Sequence, residues 1–161
     1  MTMRVYVGTY GKYNSGNLYG AWLDIEDYAD RDEFYDACKE LHAMESDPEF
    51  MFQDWEDIPN DLISESSIDE KVFELAALDE SDREMWAAYI GNCGDADFET
   101  ARDAFRGKYD SPSDFGMEYA VDSGMIDDNH PMFSYIDWEH YSRELLMSGF
   151  FENDGYYFYD R

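Results

Sequence analysis

Between Glu40 and Glu70 the chain carries eleven carboxylates, Glu40, Glu45, Asp47, Glu49, Asp54, Glu56, Asp57, Asp61, Glu65, Asp69 and Glu70, and no Lys or Arg. Lys39 and Lys71 close the stretch on either side. Unpaired charges do not enter a core, so whatever folds here keeps this charge on its surface. The stretch is nonetheless no disordered tail. Phe50, Met51, Phe52, Trp55, Ile58, Leu62 and Ile63 are threaded through it, and disorder requires few aromatics and low hydrophobicity. The sequence therefore describes a folded surface that is strongly negative.

The rest of the chain repeats the bias less purely. A net charge of -28 on 18.9 kDa destabilises the compact state by self-repulsion, so its retention calls for a use. It opposes binding to nucleic acid, whose phosphates would be repelled, and docking on anionic membranes. It favours a basic partner. The plain alternative is a salt-adapted surface. The apolar runs are only a few residues long, too short for a transmembrane span. The N-terminus lacks the basic-then-apolar pattern of a secretion signal, so Cys38 and Cys93 are expected to be reduced thiols in the cytoplasm.

At 161 residues the chain suits one medium domain or two to three small subdomains. Arg4 to Tyr10 alternates and reads as a strand, Gly11 to Gly16 as a turn, and Leu18 to Ile25 as a second strand with Leu18 and Trp22 as core anchors. Asp30 can cap a helix from Arg31 to about Met44, with Phe34, Ala37, Cys38 and Leu41 on one stripe. Phe50 and Phe52 mark a third strand. Ser67 is expected to cap a helix over Ile68 to Leu78, and Ser81 one over Asp82 to Gly91. A helix over Asp97 to Arg106 and a short strand over Gly107 to Asp110 follow. Ser111-Pro112 opens a helix that ends at Gly124, and Asp137 caps another to about Met147. Phe150 to Glu152 and Tyr156 to Tyr159 read as a hairpin about Asn153-Asp154-Gly155.

Three blocks carry a resemblance. Val5 to Gly16 (VYVGTYGKYNSG) with Gly20-Ala21-Trp22-Leu23-Asp24 is similar to the opening of the ArdA antirestriction proteins. So is Asp47 to Glu56 (DPEFMFQDWE), and Tyr135 to Glu139 with Tyr141, Arg143 and Leu145 resembles the family's C-terminal segment. None of these blocks is a catalytic motif. The resemblance implies an α+β chain of three small subdomains: an N-terminal three-stranded antiparallel sheet with a helix (1–61), a helical acidic middle (62–105) and a C-terminal α+β dimerisation subdomain (106–161). It implies a protein carried on mobile elements such as conjugative plasmids and transposons. Such proteins form elongated homodimers that imitate bent B-form DNA and occupy the DNA-binding groove of type I restriction–modification enzymes. By position in the family, Ala104, Phe105 and Tyr109 would lie in the dimer interface. No cofactor, metal or catalytic residue is implied.

Mimicry also has a physical basis. DNA-binding proteins gain affinity by releasing counterions condensed on phosphates, and carboxylates at comparable density can occupy the same basic groove. A dimer would carry the charge of roughly 95 Å of duplex. The expected partner-binding carboxylates are the eleven above with Glu74, Asp79, Glu80, Asp82, Glu84, Asp95, Asp97 and Glu99. Other constellations are weaker. Asp95-x-Asp97-x-Glu99 begins like a calcium loop but has Thr100 and Arg106 where Gly and Glu are needed. Cys38 and His42 are spaced i, i+4 but Cys38 lies on the apolar stripe, so a core thiol is expected. His140 and Glu144 read as a surface pair. Serine hydrolase, P-loop and dinucleotide motifs are absent. Two readings compete with mimicry: a salt-adapted acidic globular protein, and an acidic adaptor for some other basic protein.

Overall fold

The computed structural model describes residues 2–160, so positions 1 and 161 of the expected subdomains lie outside the described residues. The chain is mixed α and β and divides between Asp97 and Phe98 into two compact units.

The first unit is built on an antiparallel sheet of β1 (Arg4–Thr9), β2 (Ala21–Asp24) and β3 (Phe50–Glu56) in the order β2-β1-β3. Strand alternation decides its faces. Val5 and Val7 are fully buried, whereas Arg4 and Tyr6 stand on the other face, where Arg4 stacks on Trp22 and pairs with Glu56. The register of β1 on β3 slips by one at Gln53, between Tyr6↔Asp54 and Val7↔Phe52. α2 (Arg31–Leu41) starts at Asp30, whose carboxylate accepts from Glu33 N. It covers the sheet with Phe34, whose ring lies 5.9 Å from Phe52 and 5.6 Å from Phe73. α3 (Lys71–Ala77) and α4 (Glu80–Cys93) complete the unit and bury Val72, Phe73, Leu75, Met85, Trp86 and Ile90.

Several local expectations are corrected here. Where the strand is expected to end at Tyr10 and Gly11 to Gly16 to turn, Tyr10–Asn14 is a short helix, α1, because the Thr9 hydroxyl accepts from Lys12 N and caps it. Leu18 is 60% exposed and Trp22 half-buried, so neither anchors the core, and β2 starts only at Ala21. The helix expected to reach Met44 ends at Leu41, and Met44 is exposed. Ser67 caps nothing. It closes a tight turn with Ser64 that lets Ile63 and Ile68 bridge, and α3 begins later, at Lys71. α4 is capped by Asp79, which accepts from Asp82 N two residues before the expected Ser81.

The second unit contains α5 (Phe98–Ala104), β4 (Phe105–Lys108), α6 (Pro112–Asp122), α7 (Trp138–Ser148), β5 (Phe150–Asn153) and β6 (Tyr156–Tyr159). β4 takes over two residues before the expected strand and shortens α5 accordingly. The strands form an antiparallel sheet in the order β4-β6-β5. Ser111 caps α6 by accepting from Asp114 N, and Asp137 caps α7 by accepting from His140 N. Asp154 and Gly155 have φ of 53° and 85°, the left-handed pair that a two-residue type I′ hairpin needs. Phe115, Phe150 and Tyr157 make the core, with Phe115 stacked on Tyr157 at 4.7 Å. α6 and α7 approach closely because Gly116 leaves room for Ser142. Among the described residues no helix is long and apolar enough to cross a membrane.

Candidate functional site

The fold brings every carboxylate to the surface. None of the 39 Asp and Glu side chains is buried, and all but Glu45, Asp69, Asp82 and Glu84 are exposed. The core is left to aliphatic and aromatic groups.

Sixteen of the nineteen expected partner-binding carboxylates fall into two sets. Six are already paired with a cation: Glu45 with Lys12, Glu56 with Arg4, Asp69 and Asp95 with Lys71, Glu70 with Arg31, and Glu99 with Arg102. Glu45 is the most committed. Its Oε2 lies 2.7 Å from Lys12 Nζ and accepts from the Thr9 hydroxyl at 2.9 Å. The Lys12 hydrogen bond, and after it the Thr9 bond, holds this carboxyl below its usual range. The Arg4 guanidinium does the same for Glu56, through bonds of 2.7 and 3.1 Å. Asp79 is engaged as the cap of α4.

The second set keeps its charge unpaired. Among the described residues no cation lies within 4.0 Å of Glu40, Asp47, Glu49, Asp54, Asp57, Asp61, Glu65, Glu74, Glu80 or Asp82. Most of these stand in and around β3, from Asp47 to Glu65. Asp57 has a φ of 59° and ends the strand in the left-handed region, which Asp tolerates better than most side chains. The Tyr10 hydroxyl is pushed above its ordinary range, first by desolvation and then by a hydrogen bond to Glu65.

Two rows of acids add five residues to the expected set, which held only Glu40 of the six. Asp32, Asp36 and Glu40 follow one another at i, i+4 on α2, and Asp114, Glu118 and Asp122 do so on α6. All six are exposed and none has an ion pair among the described residues. Successive members are about 6 Å apart along the helix axis, a sparser row than one DNA strand with a charge per roughly 3.4 Å of axis. The i, i+4 spacing was readable in the sequence once the helices were drawn.

The residues expected at a dimer interface are occupied within their own unit. Ala104 is buried, the Phe105 ring lies 5.6 Å from Phe158 and 5.9 Å from Tyr156, and Tyr109 meets Phe115 and Tyr157 at 5.4 Å each. Beside them Arg106 and Lys108 lie over the rings of Tyr159 and Tyr156.

The other constellations resolve into structural roles. Cys38 is fully buried and burial pushes its thiol up to about 12. His42 is also fully buried, and both ring nitrogens are engaged. Nε2–H donates to the Val7 carbonyl at 3.0 Å and Nδ1 accepts from Lys12 Nζ at 2.6 Å, the one assignment compatible with a carbonyl acceptor and an ammonium donor. In the Asp95–Glu99 segment Asp95 pairs with Lys71 and Glu99 with Arg102. His140 and Glu144 form an exposed pair at 3.7 Å. Among the described residues no group of three or more His, Cys, Asp or Glu side chains could hold a metal ion.

Comparison with curated proteins gives no match. The family model described as "Antirestriction protein (ArdA)" matches residues 5–158, nearly the whole chain and both of its units. The match takes in all but the first four and last three residues of the chain, and the chain belongs to the ArdA antirestriction family.

Proposed function

We propose that this ArdA protein acts as a DNA mimic that occupies the DNA-binding groove of a type I restriction–modification enzyme, through its methyltransferase core. The carrying observation is that all 39 carboxylates reach the surface, and that ten of those expected to bind stay free of any cation within 4.0 Å among the described residues. A basic groove that accepts phosphates accepts these groups by the same attraction. No catalytic group or cofactor is needed, because occupying the groove is the whole effect. The protein works as a homodimer, in the cytoplasm, on behalf of a mobile element whose entering DNA it protects.

The free set, Glu40, Asp47, Glu49, Asp54, Asp57, Asp61, Glu65, Glu74, Glu80 and Asp82, is assigned to this contact with Asp32 and Asp36 on α2, and the row on α6 is assigned to it likewise. The ion-paired six are assigned to the fold. Competition is the direct test: the protein should displace a labelled duplex from a purified type I methyltransferase core. Neutralising the free set should abolish displacement, whereas neutralising Glu45, Glu56 and Glu70 should chiefly lower stability. Failure to displace duplex at any salt concentration would leave a salt-adapted surface as the better account. For the dimer, sedimentation equilibrium should give twice the chain mass, and Arg106→Glu, an exposed change on β4, should weaken association without disturbing the core.

A further inference from the structure

Arg83 follows Asp79, Glu80 and Asp82 in the sequence and precedes Glu84. On an isolated helix a cation in this place would turn to Asp79 or Glu80, its i−4 and i−3 neighbours. In the fold it turns the other way. Nε donates to the Leu75 carbonyl at 3.2 Å, and Nη2 to the carbonyls of Ala76 at 3.0 Å and Leu78 at 3.4 Å. Nη1 donates to Glu26 Oε1 at 3.1 Å, in the turn that follows β2. One guanidinium, 18% exposed, thus ties α4 to the end of α3 and to the sheet's own turn.

The last carbonyls of a helix have no partner within it. α3 has only seven residues, too few to hold a helix alone, and Arg83 satisfies carbonyls at its end from the fourth residue of α4. A cation there also complements the negative end of the helix. The planar fork fixes direction as well as distance, which a lysine ammonium does not. Arg83 therefore braces the corner between α3 and α4.

On either side of that corner stand Glu74 on α3 and Glu80 and Asp82 on α4, which have no cation within 4.0 Å among the described residues. An arginine turned to Glu80 would have masked one of them. By going to backbone carbonyls, Arg83 orders the acids and leaves their charge intact. We infer that Arg83 is a positioning residue of the proposed contact: it holds the corner that sets Glu74 against Glu80 and Asp82, so that a basic groove meets the three at one spacing. The inference rests on the proposed function.

Charge and position here make opposite forecasts. Arg83→Gln removes a cation and releases Glu26, so a protein acting through its amount of negative charge alone would bind a basic partner as well or better. A protein acting through placed charge would bind worse. The test is Arg83→Gln in the full chain, competing with a labelled duplex for a purified type I methyltransferase core, at a temperature where circular dichroism shows the variant folded. Its affinity should fall about threefold or more, the scale of coupling between neighbouring groups. Arg102→Gln, the same charge change at the exposed Glu99 pair, should bind as tightly as the parent or tighter. Arg83→Lys, which keeps the charge and loses the fork, should restore only part of the loss.

A role in stability alone leaves the affinity of the folded protein unmoved, so coupling is the deciding readout. Neutralising Glu74, Glu80 and Asp82 together should weaken the parent's binding by a larger factor than that of the Arg83→Gln protein. Equal factors, or parent-like binding by a folded Arg83→Gln or Arg83→Lys protein, overturn the inference and leave the proposed function standing. A fall of the same size in Arg102→Gln overturns it too, since any lost cation would then do. Should Arg83→Gln not fold, Arg83→Lys takes its place in both measurements and the same outcomes decide. Absence of binding by the parent overturns the proposed function, and the inference falls with it.

Discussion

Ser142→Ala should make the protein more stable. Ser142 is fully buried in the contact between α6 and α7, and its hydroxyl oxygen has no hydrogen-bond partner. Leaving a buried hydroxyl unsatisfied costs about 1–3 kcal/mol. Ala also has a helix propensity better by about 0.5 kcal/mol. Against this stands the loss of one oxygen's packing on Gly116, a few tenths of a kcal/mol at contact distances. The net expectation is a gain of about 1–2 kcal/mol, or roughly 2–8 °C in Tm for a chain of this size. Gly116→Ala works the other way. Its new Cβ would overlap Ser142 Oγ and lie 3.0 Å from Ser142 Cβ and 3.3 Å from Tyr141 Cδ2. Overpacking of this kind costs about 1–3 kcal/mol, offset by about 1 kcal/mol of helix propensity. The two changes should couple, because Ser142→Ala removes the worst overlap and leaves only the Cβ contact. An interaction of at least about 0.5 kcal/mol is expected from the double-mutant cycle. Denaturation followed at Trp138, the only tryptophan of the second unit, reads the affected region, with hydrogen exchange in α6 and α7 as a second probe. A Ser142→Ala protein less stable than the parent, or strict additivity of the two changes, would refute the claim that this hydroxyl is an unpaired liability at a close helix crossing.

Four further outcomes are expected. Neutralising one free carboxylate, Asp54→Asn or Glu65→Gln, should weaken enzyme binding less than about fivefold, as for a single exposed ion pair; loss of all activity from either change in a folded protein would point to a catalytic or metal-binding carboxylate. Affinity should fall with salt less steeply than that of the duplex it displaces, because sparser charges condense fewer counterions to release; a slope as steep as the duplex's would contradict this account of competition. A thiol reagent at pH 8 should label Cys93 alone in the native protein and both cysteines after denaturation, since Cys93 is exposed and burial holds the Cys38 thiol up at about 12; rapid labelling of two thiols would show that α2 opens. Glu45 has a folded value below its unfolded one, so its stabilising contribution is present above the unfolded range near 4.3 and lost as pH falls through the lower folded value; Glu45→Gln should remove part of the acid transition seen by circular dichroism below about pH 4.3, and an unaltered acid limb would show that the Lys12–Thr9–Glu45 bonds do not stabilise the native state.

Much of the local structure was legible in residue order. Asp30, Ser111 and Asp137 announce their helices because a short side-chain acceptor satisfies a backbone N–H two or three residues on, which is a local event. Asp154-Gly155 announces its hairpin because the turn needs two positive φ values. Val5 and Val7 reveal the inner face of β1 by alternation. Family and acidity are likewise properties of the string of residues. The misreadings have two causes. Gly11 to Gly16 reads as turn chemistry, yet the Thr9 hydroxyl caps a helix that takes in Tyr10–Asn14. Leu18 looks like a core residue, but its neighbourhood is decided by the Tyr6 hydroxyl holding its carbonyl from twelve residues away.

The same holds for the carboxylates. From sequence alone Glu56 and Asp54, or Glu70 and Glu65, are interchangeable. The fold separates them by delivering Arg4 to Glu56 across 52 residues and Arg31 to Glu70 across 39. Sequence by itself determined how much negative charge the protein carries and that it must lie at the surface, because the cost of burying an unpaired charge applies wherever the chain goes. Only the tertiary structure decided which charges remain available to a partner, because a cation quenches a carboxylate only within a few ångströms, and that distance is set by packing between residues far apart in the chain.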